Sequence, residues 1–187
     1  VPGDTANPAI GQGFLLVTPL QMATVIASIA RDETRTRPTL KALTKEEALQ
    51  VNHGGEPIGL NSAQKKQLWD GMERVIGPDG TGRIVTIEDF RIAGKTGTAD
   101  KPRPSGGYYN DRVVNTFASI FPASAPQYVL VVTLDEPVET SGPTPRRTAG
   151  WTAVPVAAEM IRRIAPLLGL RPEVETRHLT DIINTSN

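Results

Sequence analysis

The most informative segment of the chain is Ala93-Gly94-Lys95-Thr96-Gly97-Thr98-Ala99, which combines a cation, threonine hydroxyls and glycines. Phe90 and Ile92 come just before it, and their alternation is typical of the start of a β-strand. Two apolar, strand-like runs follow at 113–121 and 128–134, joined by a link of hairpin length. The three runs together predict an antiparallel meander.

The side chains of this segment suggest a binding edge. On a strand, Thr96 and Thr98 point to the same face and offer hydroxyls beside the charge of Lys95. Gly97 lacks a packing side chain, which in a strand often marks close approach by a ligand or another backbone. We therefore expect an edge on which an extended peptide binds as an added strand. The hydroxyls and the ammonium would bind a carboxylate of that peptide, and a backbone N–H would donate to an oxyanion. The simpler alternative is a strand with a solvated lysine.

Helical patterns lie on both sides of the strands. Thr18 and Pro19 form a strong helix start, and the apolar run to Ala30 predicts a helix buried nearly all round. A second helix is predicted over 61–76 and a last one over 154–168, each with one apolar stripe facing a core. The stripes consist of Leu68, Trp69, Met72, Val75 and Ile76 in the second helix, and of Val156, Met160, Ile161, Ile164 and Leu168 in the last.

The order of these segments predicts an α+β fold, an antiparallel sheet flanked by helices. The glycine-rich residues 77–82 follow a helix and predict a plain turn, since an anion site would need a helix to begin there. Residues 100–112 predict a long, mobile loop. The domain is expected over 1–170, with a polar tail over 171–187.

Composition narrows the possible chemistry. The chain has 20 acidic and 20 basic residues, so charge gives no argument for nucleic acid as a partner. Cysteine is absent, which excludes thiolate catalysis and cysteine-bound zinc. His53 and His178 lie far apart in polar stretches, so neither a metal site nor a cofactor is expected. No apolar run is long enough to span a bilayer.

Two short motifs match other chemistry only by their letters. Gly94-Lys95-Thr96 also ends a phosphate-binding loop, but that loop needs a glycine where the chain has Asp89, and a helix where it has Gly97. Ser62 and Lys65 match the Ser-x-x-Lys pattern of acyl enzymes. Ser62 is better explained as a helix cap with Lys65 in the solvated first turn, because a nucleophile's lysine should be desolvated.

Several segments together resemble the C-terminal part of the transpeptidase domain of class B penicillin-binding proteins. The resemblance covers most of residues 3–170. The part from Phe90 onward is most similar to septal members, and the opening residues are closer to elongation members. The segments are Gly11-Gln12-Gly13, Val17 to Ala23, Ala93 to Ala99, Asn115 to Ala118, Asp135-Glu136-Pro137 and Thr148 to Gly169.

The resemblance implies a partial penicillin-binding and serine β-lactamase-like domain. It implies a D,D-transpeptidase that cross-links peptidoglycan stem peptides by serine acyl transfer, binds β-lactam antibiotics and faces the periplasm at the bacterial inner membrane. Implied partners are the upstream half of the transpeptidase domain and the cell-wall synthesis machinery. A serine β-lactamase-like hydrolase and a non-catalytic binding module remain alternatives.

The resemblance also assigns roles along the opening segment. Lys95 would be catalytic, placing positive charge beside the nucleophile and the incoming carboxylate. Thr96 and Thr98 would hydrogen-bond that carboxylate, Gly97 would belong to the same substrate-binding strand, and the Thr98 N–H would be one arm of an oxyanion hole. The family places its serine nucleophile and its Ser-x-Asn motif upstream of Val1. The chain is therefore expected to lack the nucleophile and to be inactive alone.

Overall fold

The computed structural model describes residues 16–32, 38–50, 57–83 and 90–171. Its helices and strands, numbered in chain order, are α1 (Pro19–Arg31), α2 (Lys45–Gln50), α3 (Ser62–Arg74), β1 (Ala93–Pro102), β2 (Tyr108–Phe121), β3 (Tyr128–Asp135), a 3-10 turn (Ala149–Trp151) and α4 (Ala153–Ile164). The strands form an antiparallel sheet in the order β1-β2-β3. The predicted α+β meander is thus confirmed.

The limits of the domain stay a prediction. Of the proposed tail over 171–187, only Arg171 lies among the described residues, and the first 15 residues lie outside them. Within the described ranges, no helix has the length and apolar character that crossing a membrane requires.

The sheet packs helices on both faces. One face carries Ala93, Ala118 and Ile120, which cluster with Ile26 of α1 and Met72 of α3. The opposite face carries the large aromatic side chains of β2 and packs against α4. The core cluster between them includes Ile92, Phe117, Phe121 and Val132 of the sheet side and Val154, Ala157 and Ile161 of α4. β1 and its neighbours are therefore held between two apolar layers.

Helix α1 begins as predicted but is less buried than expected. The Thr18 side chain accepts from the Gln21 N–H at 3.1 Å, and the Gln21 side chain accepts from the Thr18 N–H at 2.8 Å, which forms a capping box. The prediction of burial all round is wrong, because the sheet covers only one side of the helix. Leu20 is 54% exposed and Val25 55% exposed.

Helix α3 is capped by Asn61 and not, as predicted, by Ser62. The Asn61 side chain accepts from the Gln64 N–H at 2.9 Å, which leaves Ser62 as the exposed first helical residue. Lys65 is not simply solvated either, since it forms an ion pair with Asp32 at the end of α1.

The last helix buries a different face from the predicted one. Its buried residues are Ala153, Val154, Ala157, Ala158 and Ile161, so that only Ile161 of the five predicted stripe residues is fully buried. Val156 is 41% exposed and Met160 40% exposed. Alanines, and not larger residues, lie at this contact because the helix packs close against the aromatic rings of β2.

Most of the predicted mobile loop over 100–112 is strand. β1 and β2 continue outward as a hairpin arm in which Pro102 pairs with Tyr108. Lys101 anchors this arm, because its ammonium lies 2.9 Å from Asp135 and 2.8 Å from Glu136. The hydrogen bonds to Glu136 and then Asp135 raise the pKa of Lys101 above its ordinary value.

Candidate active site

Residues 95–98 lie on an edge strand. β1 pairs with β2 on one side only, in a register that sets Lys95 opposite Ala118 and Thr98 opposite Asn115. Along the other side of β1, the N–H and C=O groups have no strand partner among the described residues. The predicted edge, on which an extended peptide could add as a strand, is therefore present.

The charged and hydroxyl groups of this strand approach the edge from opposite faces. Thr96 and Thr98 share the face that α4 covers, as their spacing predicts, whereas Lys95 projects on the face of α1 and α3. The exposed Lys95 bends back along the strand, and its ammonium donates to the Thr96 carbonyl oxygen at 2.6 Å. The ammonium consequently lies close to the backbone that a bound peptide would follow.

The Thr98 hydroxyl has a defined hydrogen-bond direction. The backbone N–H of Ala149 donates to Thr98 Oγ1 at 3.0 Å. An N–H group can only donate, so the Thr98 oxygen is the acceptor in this bond and its own hydrogen is free to be donated. Thr98 is exposed, and its hydroxyl can therefore donate to an acceptor such as a carboxylate.

The Thr96 hydroxyl is held by a residue that the sequence does not single out. Its oxygen lies 2.7 Å from the hydroxyl oxygen of Thr81, in the turn after α3. The predicted turn is confirmed, with Gly80 N–H donating to Gly77 at 2.9 Å and Gly82 N–H donating to Val75 at 2.8 Å. The available signal for Thr81 is its position between two glycines.

Those glycines fix the position of Thr81. A Cβ on Gly80 would lie 2.1 Å from the Val75 carbonyl oxygen, and one on Gly82 would lie 2.8 Å from Ile76 Cδ1. No side chain fits at either position without moving the backbone or the core. The turn is therefore packed against the end of α3, and Thr81 projects from it toward β1.

The two glycines of β1 serve different purposes. A Cβ on Gly94 would lie 2.8 Å from the buried ring of Phe117, so Gly94 is required for packing. A Cβ on Gly97 would meet nothing closer than the Thr116 carbonyl oxygen at 3.8 Å. Packing does not require a glycine at 97, and its absent side chain leaves the exposed face of the strand open.

A buried amide holds the segment that contacts Thr98. Asn115 is fully buried on β2, and its Nδ2 donates to the Arg147 carbonyl oxygen and to Thr152 Oγ1, both at 2.6 Å. Thr152 in turn donates to the Thr148 carbonyl oxygen at 3.1 Å. These bonds hold both ends of the segment that presents the Ala149 N–H.

The loop before this segment is closed by ionic and aromatic contacts. Glu139 and Arg146 form an antiparallel bridge, and the Arg146 guanidinium lies 3.8 Å from the centre of the Trp151 ring. Hydrogen bonds from Ser141, one of them from its backbone N–H at 2.5 Å, lower the pKa of Glu139 below its ordinary value, with a smaller effect of the Arg146 charge.

Ser62 lacks the surroundings of an activated nucleophile. It is exposed at the first turn of α3, and Lys65 is ion-paired with Asp32 at the surface. A lysine that acts as a base must be desolvated and unpaired, whereas Lys65 is partly exposed and ion-paired. In the part of the chain that the structure describes, no three His, Cys, Asp or Glu side chains come together as metal ligands.

Comparison with known proteins gives a consistent relationship. Residues 1–161 match the family model described as the penicillin-binding protein transpeptidase domain. The chain is 33% identical over 168 residues to penicillin-binding protein PbpB of Mycolicibacterium smegmatis, covering 84% of the chain and 26% of that protein. It is 32% identical over 173 residues to peptidoglycan D,D-transpeptidase FtsI of Escherichia coli, covering 92% of the chain and 27% of that protein.

Solved structures show the same fold. Penicillin-binding protein 3 of Mycobacterium tuberculosis, complexed with aztreonam, superposes with a TM-score of 0.59 at 32% identity, covering 84% of this chain and 37% of that one. The transpeptidase domain of Burkholderia pseudomallei penicillin-binding protein 3 superposes with a TM-score of 0.65 at 23% identity. The match covers 84% of this chain and 44% of that one. The chain spans less than a third of the curated relatives it matches, between 15% and 30% of the first five. From residue 1 to 161, the chain belongs to the penicillin-binding protein transpeptidase domain family.

Proposed function

We propose that the chain forms the substrate-binding wall of the serine acyl-transfer site of a peptidoglycan D,D-transpeptidase. The observation that carries this proposal is the open edge of β1, where the Lys95 ammonium and the donating hydroxyl of Thr98 flank backbone groups that have no strand partner among the described residues. Such an edge suits a stem peptide, which can add as a strand while its carboxylate binds the hydroxyl and the charge.

Each residue of the strand has its own role. Lys95 supplies positive charge to the carboxylate and to the attacking oxygen, and the hydroxyls of Thr96 and Thr98 donate to the carboxylate. Gly97 leaves room for the peptide backbone. The Thr98 N–H is one donor to the oxyanion that forms when the serine attacks the carbonyl carbon. β-Lactams, which carry a carboxylate beside a reactive carbonyl, would occupy the same positions.

The attacking serine is expected from another segment of the parent protein. Ser62 is exposed and its lysine is ion-paired, so this pair does not support acyl transfer. The serine would attack the donor carbonyl carbon and form an ester while the C–N bond to the last residue of the donor peptide breaks and that residue leaves as a free amine. The amine of a second peptide would then attack the ester, which forms a new amide and releases the serine hydroxyl. Because peptidoglycan lies outside the cytoplasm, the site would face the periplasm at the inner membrane, alongside the upstream half of the domain and other cell-wall enzymes.

Labelling with a fluorescent penicillin tests this function. The full-length parent protein should become covalently and persistently labelled, whereas the 187-residue chain alone should not. Labelling of the isolated chain that disappears in a Ser62→Ala variant would show that the nucleophile lies within it. Rapid turnover of a chromogenic cephalosporin by the parent would identify a hydrolase instead, and no labelling of the folded parent would leave only a binding role.

A further inference from the structure

We infer that Asn115 is a positioning residue for substrate binding, because its amide fixes the segment that sets the hydrogen-bond direction of the Thr98 hydroxyl. This inference rests on the proposed function of β1. Asn115 lies on β2 directly opposite Thr98 and is fully buried, so it touches no substrate itself. Its effect would pass through the segment from Arg147 to Thr152.

The first step is the attachment of that segment to the sheet. Asn115 Nδ2 has two hydrogens to donate, and they go to the Arg147 carbonyl oxygen and to Thr152 Oγ1. The Thr152 hydroxyl thus accepts from Asn115 and donates its own hydrogen to the Thr148 carbonyl oxygen. One side chain therefore holds the segment at its beginning and, through Thr152, at its end.

The second step is the contact with Thr98. Ala149 lies between the two attachment points and is buried, and its N–H points at Thr98 Oγ1. Because this N–H can only donate, it makes the Thr98 oxygen an acceptor and leaves the Thr98 hydrogen for the open side of the strand. A carboxylate accepts hydrogen bonds and donates none, so this direction suits a substrate carboxylate. Loss of the Asn115 bonds would let the segment move and would remove this preference.

A matched control lies on the same strand. Ser119 is also fully buried, four positions further along β2 on the same face. Its hydroxyl donates to the Leu130 carbonyl oxygen of β3 at 3.1 Å, on the side of β2 away from β1. Ser119→Ala therefore removes a buried hydrogen bond from the same sheet without acting on Thr98.

The test is a double-mutant cycle in the full-length parent protein, read as the rate of acylation by a penicillin with a free carboxylate. Asn115→Leu should slow acylation about tenfold, in line with the loss of a hydrogen bond to a charged group. In a Thr98→Val background, the same change should slow it less than about twofold, because the hydroxyl is already gone. The penicillin methyl ester, whose neutral carbonyl accepts a weaker hydrogen bond than a carboxylate, should lose much less of its rate in the Asn115→Leu protein.

Other results would reject the positioning role. An equal loss in both Thr98 backgrounds, an equal loss for the methyl ester, or the same loss in Ser119→Ala would each show that Asn115 only stabilises the sheet. If Asn115→Leu does not fold, Thr152→Val takes its place in the cycle, because it removes the Asn115 bond at the end of the segment and the Thr152 bond to the Thr148 carbonyl oxygen. Failure of the unchanged protein to react at all would reject the proposed function, and is thereby distinguished from failure of this inference.

Discussion

The hydroxyl oxygens of Thr81 and Thr96 lie 2.7 Å apart, although the turn that carries Thr81 and the strand that carries Thr96 are separate elements. Thr81 is exposed, so this bond contributes little to the core. Its consequence is local, since it restricts the rotation of the Thr96 side chain. A hydroxyl held in one orientation loses less entropy when it binds a substrate carboxylate.

We predict that Thr81→Val in the full-length parent slows acylation by penicillin by about threefold to tenfold, because Thr96 loses a neutral hydrogen bond that orients it. Thr81→Ser, which keeps the hydroxyl, should restore most of the rate. Stopped-flow acylation with each variant measures both effects. The thermal midpoint should change little in either.

Thr133→Val is the control for this prediction. Thr133 and Thr116 form a similar hydroxyl pair, at 3.3 Å, across β2 and β3. Loss of the hydrogen bond between Thr116 and Thr133 should leave the rate of acylation unchanged. An equal effect of Thr81→Val and Thr133→Val would show that threonine pairs act only through the stability of the sheet.

The two glycines of β1 should separate folding from function. Gly94→Ala places a methyl group 2.8 Å from the buried Phe117 ring and 2.9 Å from the Ala118 carbonyl oxygen, and overpacking of this kind typically costs about 1–3 kcal/mol of the free energy of unfolding. Gly97→Ala meets only ordinary contacts and should change that free energy by less than about 0.5 kcal/mol. It should nevertheless slow acylation, because the methyl group lies on the open face.

Denaturant unfolding and penicillin acylation, measured on both variants of the parent protein, test this contrast. If Gly97→Ala proves as destabilising as Gly94→Ala, the open face is closer to other groups than the structure indicates. If it keeps full acylation, the strand edge is not where the substrate binds.

The parts of the fold that depend on neighbouring residues could be predicted from the sequence. The cap of α1 follows from Thr18 and Gln21, and β1 from the alternation that leads into Lys95. These signals are local, because a capping box spans one turn and a strand repeats every second residue. The edge on β1 is likewise predicted by local residues, since Gly97 offers no packing side chain and lies beside the hydroxyls and the charge of the same strand.

The remaining parts depend on contacts between distant segments. The role of Thr81 requires the turn after α3 to meet β1, and that of Asn115 requires the segment at Ala149 to cross the sheet; neither contact leaves a periodic pattern. The face of α4 was misjudged for a related reason. Hydropathy ranks Met160 above Ala157, whereas close packing against aromatic rings selects the smaller side chain.

Lys95 offers a direct test of the charge at the site. Lys95→Gln keeps much of the side chain's length but removes the charge. The rate of acylation by a carboxylate-bearing penicillin should therefore fall by about 100-fold or more. The thermal midpoint should stay unchanged, because Lys95 is exposed. Lys66→Gln is the control, since Lys66 is also exposed and pairs with Asp70 along α3. Equal acylation by both variants would contradict the role of Lys95.

Glu139 should make the loop before Ala149 sensitive to acid. Hydrogen bonds from Ser141 lower the folded-state pKa of Glu139 below the ordinary value of 4.5. A carboxyl group with a lowered pKa stabilises the folded state above its unfolded pKa, and this contribution is lost as pH falls through the lowered value. The unchanged protein should therefore have a higher thermal midpoint than Glu139→Gln at neutral pH.

The difference between the two proteins should narrow as pH falls below 4.5 and vanish once Glu139 is protonated in the folded state. Thermal unfolding of both, followed from neutral pH to about pH 3, measures this directly. Because Arg146 bridges Glu139 and stacks on Trp151, acylation should weaken over the same range if the loop supports the site. A difference in thermal midpoint that persists at the lowest pH would mean that the amide substitution, and not the charge, is responsible.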